Sequence, residues 1–241
     1  MEPHILIQQL LNGITLGSIY ALIAIGYTMV YGIIGMINFA HGDIYMIAAY
    51  LTAIVIALFS VLGVGALALT LVITLILTIV ITALYGYSLD KLAYKPLRKS
   101  TKLAPLISAI GMSLVLQNYV QLSQGANPKG LPSLIKGVVK IGSEEKFAQL
   151  TYVQVMIIVV TSLSMLLLTY IINNTKLGRQ CRATQQDRVM ASIIGINTDK
   201  VISTVFIIGA SMAGIAGFLV TLNYGSFDFF IGFVIGIKAF T

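Results

Sequence analysis

The six residues NFAHGD, Asn38 to Asp43, carry the side chains of this chain that could most readily do polar chemistry in an apolar setting. No Lys, Arg, Asp or Glu occurs from residue 5 to 42 or from residue 44 to 89. An amide, an imidazole and a carboxylate placed together there could hydrogen-bond a polar solute or organise the start of a helix. Asn38, His41 and Asp43 are therefore the candidate pathway residues.

Two interpretations of this stretch are open. In the first, Gly42 turns the chain at a membrane boundary and Asp43 N-caps a helix beginning IYMIAAY, where the helix dipole favours its charge. In the second, the break dips into the membrane and its polar groups line a path for a solute. Exposure of Asp43 to lipid is excluded in both, because an ionised Asp at the bilayer centre costs about 2.5–3.5 kcal/mol.

The sequence gives little support for an enzymatic function. Two positions apart on a helix, His41 and Asp43 would point in different directions. The sequence contains no G-x-x-x-x-G-K-[ST], H-E-x-x-H or G-x-S-x-G pattern. The single cysteine, Cys181, allows no disulfide within the chain and is expected to be an inert thiol, and two histidines provide no metal-ligand spacing. No metal site and no catalytic residue is expected.

Composition indicates an integral membrane protein. Of the 241 residues, 58% are hydrophobic and 10% are charged, and the mean hydropathy is +0.95. Soluble domains carry about 25% charged residues, so this chain lacks the polar residues that a water-exposed surface needs. The net charge of +7 is concentrated in loops, which indicates membrane topology and argues against nucleic acid as a partner.

The predicted fold class is all-α, a polytopic bundle of about six complete spans plus a truncated seventh. We expect a single transmembrane domain over residues 1–241 that is C-terminally incomplete, since the seventh span begins near Phe229 and the sequence stops inside it. The other charge-free windows are residues 5–37, 44–89 (two spans with a break near Gly63 and Gly65), 103–123, 152–172 and 201–223.

Small residues at four-residue spacing predict close helix packing within the bundle. They are Gly13 and Gly17, Ala210 and Gly214, Ala213 and Gly217, and Gly232 and Gly236.

The distribution of Lys and Arg predicts the orientation. Residues 90–102 contain five basic residues and form a predicted cytoplasmic loop, and residues 174–200, two spans later, contain five more and form a second one. Residues 124–150 then form a periplasmic loop, in which Glu144 and Glu145 offset four Lys and the piece SLIKGVVKIG could make a hairpin. Counting back places the N-terminus outside, unless the NFAHGD region is re-entrant.

The second cytoplasmic loop contains a short amphipathic helix, predicted from Ala183 to Ile194. Gly195 is its expected C-cap, and Thr198 or Asp199 the expected N-cap of the next span. The apolar side of the short helix is formed by Val189, Met190, Ile193 and Ile194. Such a helix could lie on the lipid surface or insert into the groove of a cytoplasmic partner.

Three segments resemble permeases of bacterial branched-chain amino acid ATP-binding cassette (ABC) transporters of the LivH type. They are LLNGITLGSIYALIAIGYTMVYGIIGMINFAHGDIYMIAAY, SAIGMSLVLQNYV and GRQCRATQQDRVMASIIGINTDKVI, and the similarity extends over essentially the whole chain to FIGF and GIKAF. NFAHG followed by an acid is shared with related permeases for urea and short amides, which remain an alternative. A secondary transporter or a channel is a further alternative function.

The resemblance implies an inner-membrane importer subunit that translocates leucine, isoleucine or valine. Its implied partners are a second permease subunit, two ATP-binding subunits and a periplasmic substrate-binding protein. ATP and magnesium would be bound by the ATP-binding subunits, so no cofactor is expected in this chain. The family also continues beyond the GIKAF-like segment.

Importer permeases commonly carry a coupling helix marked by Glu-Ala-Ala, three residues, then Gly. Here Ala191 and Gly195 match, whereas Val189 and Met190 replace the first two residues. The expected coupling residues are Ala183, Val189, Met190, Ala191, Ile193 and Gly195.

Overall fold

A computed structural model of the chain describes residues 3–63, 65–98, 100–101, 103–132, 134–143 and 146–240. The helices are α1 (Pro3–Ile34), α2 (His41–Val61), α3 (Leu67–Leu89), α4 (Leu103–Gln124), α5 (Tyr152–Asn174), α6 (Lys176–Gln186), α7 (Arg188–Ile193), α8 (Thr198–Tyr224) and α9 (Ile231–Phe240). A π-helical turn, Asp90–Tyr94, and a 3-10 turn, Lys95–Leu97, extend α3. The strands are β1 (Lys129–Gly130), β2 (Val138–Ser143), β3 (Lys146–Thr151) and β4 (Ser226–Phe227).

The predicted membrane bundle is confirmed. Six helices in the described part of the chain, α1 to α5 and α8, are long and apolar enough to cross a membrane. The second span ends at Val61 and the third begins at Leu67, so the predicted break near Gly63 and Gly65 is confirmed, and α9 begins two residues after Phe229. The charge-free windows of the sequence predicted the spans correctly because each is a run of the length that a bilayer requires.

Helix α8 forms the centre of the bundle. It packs against α1, α2 and α3, and 78% of its apolar span is buried. Helix α3 faces it with a stripe of small residues at four-residue spacing, Thr70, Thr74, Thr78, Thr82 and Gly86, all of them buried. The Thr74 and Thr82 hydroxyls donate to the carbonyl oxygens four residues earlier, each at 2.7 Å. These hydroxyls are thereby satisfied without water, and the two helices approach closely.

Most of the predicted small-residue faces are confirmed, because Ala210, Gly214, Gly217, Gly232 and Gly236 all meet neighbouring helices. The prediction for Gly13 and Gly17 is wrong. A Cβ added at either position would meet nothing within 4 Å among the described residues, so this face of α1 points away from the bundle, whereas Thr15 and Ile19 on the other face are buried.

The two ends of the bundle differ in composition. The hairpin end contains β2 and β3, which pair antiparallel with Val138 opposite Thr151. The predicted hairpin is thus only partly correct, since its first strand begins at Val138 and its partner lies beyond the predicted piece. The start of α1 lies at the same end, because the Gln8 side chain accepts from the backbone N–H of Gln149 at 2.7 Å.

The opposite, basic end contains residues 90–98 and 175–200 together with the last turn of α1. Arg98 pairs there with Asp90 and Asp199, which joins the end of α3 to the start of α8. Several charged residues of the loop predictions, Lys99, Lys102, Glu144 and Glu145, lie outside the described residues.

Candidate functional site

Helix α2 begins between α1 and α8. The chain leaves α1 at Ile34 and returns over residues 35–40, so that His41 lies against Gly26 of α1 and Gly209 of α8. Gly209 is eleven residues beyond Thr198, which is about 16 Å along α8. The start of α2 therefore contacts α8 several turns after that helix begins, and the stretch NFAHGD packs against protein.

The cap-and-turn interpretation of this stretch is wrong. Gly42 lies within α2, and the chain turns earlier, at Gly35 with its φ of +72°. Asp43 is in the first helical turn, the N-cap position is held by Ala40, and no side chain caps this helix. Gly42 is instead required for packing, because a Cβ there would lie 3.0 Å from the Cα of Gly236 and closer still to the carbonyl of Gly232.

Asn38 connects the segment before α2 to the end of α3. The Tyr94 hydroxyl donates to Asn38 Oδ1 at 2.5 Å, and both side chains are buried. The carbonyl of Asn38 accepts from the backbone N–H of His41 at 3.0 Å, which closes the turn before α2. The side chain predicted for a pathway thus also holds the π-helical turn in place.

His41 occupies a slot between α1 and α8. A Cβ at Gly26 would lie 2.7 Å from His41 Cε1, and one at Gly209 would lie 3.6 Å from the same atom. The Tyr27 ring packs edge-on against the imidazole with centroids 4.7 Å apart, and its hydroxyl accepts from the Gly42 N–H at 3.2 Å. The imidazole is 1% exposed, so the slot excludes solvent.

Asp43 faces a different helix. Its carboxylate accepts from Gln117 Nε2 of α4 at 3.1 Å, and the same amide nitrogen donates to Ser113 Oγ at 3.0 Å. Asp43 is fully buried, and Gln117 and Ser113 are buried beside it. The expected divergence of His41 and Asp43 is thus observed: one contacts α1 and α8, the other α4. The three predicted side chains do not meet in one pocket.

A cavity of about 410 Å³ lies next to this region, within the size range of small-molecule sites. Tyr45, one helical turn after His41, forms part of its wall and is fully buried. The Tyr45 hydroxyl has no hydrogen-bond partner among the described atoms. The wall is otherwise mainly aliphatic: Leu16, Ile19, Tyr20, Val220, Tyr224, Ser226, Ile231 and Ile235 complete it. Asn38, His41 and Asp43 are not among its lining residues.

Sequence reasoning missed the partners of the polar cluster. Ser113 and Gln117 are polar and four residues apart in an apolar span, a signal that could have placed them on one helix face. Tyr94 and Tyr45 carry no such signal, because tyrosines occur throughout this chain.

The predicted amphipathic helix from Ala183 to Ile194 is wrong as a single element. The chain forms α6 and α7, separated at Asp187, and Ala183 belongs to α6. The Asp187 backbone is extended, with φ of −154°, and its carboxylate accepts from the N–H groups of Val189 at 2.8 Å and Met190 at 3.0 Å. An Asp that caps a new helix in this way ends the previous one.

Helix α7 presents an apolar patch, defined here as Val189, Met190, Ile193 and Ile194. Each of these side chains is 60–72% exposed, whereas Ala191 between them is 2% exposed. Gly195 ends the helix as predicted: its φ is +88°, and the Ile196 N–H donates to the Ala191 carbonyl at 2.9 Å. The expected cap of α8 is wrong, since Asn197, rather than Thr198 or Asp199, accepts from the Lys200 N–H.

A side-chain contact connects α7 to the end of α1. The Arg188 guanidinium donates to the carbonyl oxygen of Ile33 at 2.6 Å. Partial burial and the nearby Arg98 lower the pKa of Arg188 from its usual value. On α6, burial raises the pKa of the Cys181 thiol, which agrees with the expected inert thiol.

The bundle of six apolar helices defines a polytopic membrane protein. Residues 9–241 match the family described as branched-chain amino acid transport system / permease component. The chain belongs to this family, and the resemblance seen in its motifs is confirmed.

The relatives are similar over nearly the whole chain. The high-affinity branched-chain amino acid transport system permease proteins LivH of Salmonella typhimurium and Escherichia coli K12 are 52% and 51% identical over 236 residues, 98% of this chain and 77% of theirs. The corresponding protein BraD of Pseudomonas aeruginosa is 48% identical over 241 residues, 100% of this chain and 78% of its own. No solved structure matches this chain.

Proposed function

We propose that this chain is a permease subunit of an ABC importer that moves leucine, isoleucine or valine across the bacterial inner membrane. The observation that carries the proposal is its identity of 48–52% to permeases of high-affinity branched-chain amino acid transport systems. The chain is a transport component, and the energy for transport comes from ATP hydrolysis on separate ATP-binding subunits. A second permease subunit completes the pathway, and a periplasmic binding protein delivers the substrate.

The apolar patch of α7 is the proposed contact with an ATP-binding subunit. Val189, Met190 and Ile193 project from a basic, polar segment, as the anchors of a helix that docks into a groove do. Ala191 and Gly195 support them by fixing the end of α7. Ala183 is partly buried on α6 and acts in this proposal as packing behind the contact.

This contact is tested by replacing Val189 and Met190 together with Asp. A charged patch cannot enter an apolar groove, so we expect the ATPase activity of the assembled importer to lose its stimulation by the loaded binding protein. The matched control changes both residues to Leu, which keeps the apolar surface and should keep the stimulation. Unchanged stimulation in the Asp variant would show that α7 is no coupling contact.

The stretch NFAHGD is proposed to dip into the membrane, so that the substrate pathway runs past the start of α2. A branched aliphatic zwitterion requires apolar walls and a few fixed dipoles for its charged groups. The cavity beside Tyr45 supports the first requirement, and Asn38, His41 and Asp43 are the candidates for the second. In this proposal, the three side chains leave their present contacts with neighbouring helices when the pathway opens to a solute.

Replacing Asp43 separates a pathway role from a structural one. We expect Asp43→Ala to abolish uptake of radiolabelled leucine while assembly, measured by co-purification of the other subunits, is retained. Asn118→Ala is the control, because Asn118 is exposed on α4 and its amide donates to its own helix at 2.8 Å. An equal loss of assembly and uptake would leave Asp43 with a structural role only.

A further inference from the structure

A basic groove of about 470 Å³ opens between the end of α3 and the start of α8. Its walls include Tyr87, Lys91 and Lys95 on one side and Asn197, Asp199 and Lys200 on the other. We propose that this groove binds the phosphate headgroup of an anionic phospholipid. The inference does not depend on the proposed transport function.

The charges of the groove favour an anion. Three ammonium groups line it, those of Lys91, Lys95 and Lys200, against the single carboxylate of Asp199. That carboxylate is already engaged, by Arg98 and by Lys95 Nζ at 3.8 Å. The groove therefore keeps an excess of positive charge at its mouth.

A second carboxylate lies behind the groove. Asp90 is fully buried, pairs with Arg98, and accepts from the Ser203 hydroxyl at 2.5 Å. Arg98 is shared with Asp199, so four cations, the three lysines and Arg98, face two carboxylates, and the net charge of +2 still favours a phosphate. The backbone at the start of α8 contributes further, since the N-terminus of a helix carries partial positive charge.

An apolar path on α3 leads to the groove. Ile76, Val80, Leu84, Tyr87 and Lys91 follow one another at helical spacing, and the first four are exposed to the surroundings of the bundle. Residues at this spacing lie on one helix face, so an acyl chain lying along it brings its headgroup to the lysines. The Lys91 ammonium lies 5.0 Å from the centre of the Tyr87 ring, an arrangement suited to a membrane boundary.

The location distinguishes a lipid from a soluble anion. The groove lies at the basic end, where the span of α3 meets the polar loops. Basic pockets between helices at such a boundary suit anionic headgroups, and each lysine near the surface contributes about 1 kcal/mol, or roughly fivefold in affinity. A free phosphate would gain nothing from the apolar face of α3.

The proposal is tested on the full chain, purified in detergent, delipidated and titrated with phosphatidylglycerol or phosphatidylcholine in native mass spectrometry. We expect preferential retention of phosphatidylglycerol, weakened at least tenfold in the double variant Lys91→Gln and Lys200→Gln. The matched control is Lys129→Gln with Lys136→Gln, which removes the same charge from exposed positions at the hairpin end. Equal losses in both double variants would reduce the effect to net charge and overturn the site.

Two further measurements complete the test. Glycerol phosphate and inorganic phosphate, which lack acyl chains, should not displace the lipid at concentrations equal to it. Displacement by either would assign the groove to a soluble anion and overturn the lipid proposal. Without lipid, the two double variants should have the same thermal unfolding midpoint. A loss of lipid binding in one of them then cannot come from a loss of fold.

Discussion

His41 fits its position because two neighbouring residues have no side chains. Gly26 and Gly209 leave the space that the imidazole fills, and Tyr27 closes it from the side. The polar side chain is thus placed by packing rather than by a charged partner. At the residue scale, the two glycines are as much a part of the candidate site as the histidine.

We expect Gly26→Ala to destabilise the chain by about 1–3 kcal/mol, the usual cost of overpacking a filled interior. The added Cβ would meet the His41 ring and the Gly209 carbonyl oxygen at 3.1 Å, and neither can move away freely. Thermal unfolding in detergent measures the effect.

Gly17→Ala is the control for this variant, because it lies on the same helix with nothing within 4 Å of the added Cβ. Its stability should change by no more than about 0.5 kcal/mol. Equal stability of the two variants would contradict the close slot described for His41.

The polar residues of the site could be identified from the sequence, but their partners could not. Asn38, His41 and Asp43 are conspicuous because a chain that avoids charge places them together. Gln117 is 74 residues away from Asp43, and Tyr94 is 56 residues away from Asn38. Only the packing of the helices brings such pairs into contact, and hydropathy contains no information about which faces meet.

At the scale of elements, α7 and α1 are coupled through Arg188. The Ile33 carbonyl that Arg188 contacts lies one residue before the end of α1, and residues 35–40 follow directly. In the proposed importer, a displacement of α7 would reach the segment that contains Asn38 through this contact. Arg188 is outside the apolar patch. A change at Arg188 can therefore test the proposed connection to α1 without altering the surface proposed to contact the ATP-binding subunit.

Arg188→Ala should leave the patch intact and remove its connection to α1. In the proposed importer we expect stimulated ATPase activity to persist, while leucine transported per ATP hydrolysed falls roughly tenfold, in line with the loss of a charge-assisted hydrogen bond. Parallel uptake and ATPase assays on the same vesicles measure this ratio.

Arg182→Ala provides the comparison. Arg182 donates to the carbonyl of Ile172 at 2.7 Å, so it ties α6 to α5 and not to α1. The same ratio in both variants would exclude a specific role for the Arg188 contact.

The bounds of an element were predicted well where hydropathy determines them and poorly where local hydrogen bonds determine them. The spans follow from apolar runs, but the division at Asp187 depends on a carboxylate that turns back to two N–H groups. The start of α2 was misplaced for a related reason. An N-cap is expected where a helix end meets water, and this helix begins against protein instead.

For the whole molecule, the two ends of the bundle define an orientation that can be measured. In a Cys181→Ser background, a cysteine at Ser100 should react only with membrane-permeant maleimides in intact cells. A cysteine at Ala126 should react with impermeant reagents too, since the positive-inside rule places residues 90–102 in the cytoplasm and residues 124–150 outside. Both positions are exposed. The reverse labelling pattern would invert the proposed topology.

The central position of α8 has a consequence for biosynthesis. Its neighbours α1, α2 and α3 are translated first, and their faces toward it include the buried Thr stripe and the slot of His41. Until α8 has been synthesised, these surfaces lack the contacts that α8 provides. The final packing of the bundle therefore forms late in synthesis, around a helix that is made after the three helices it holds together.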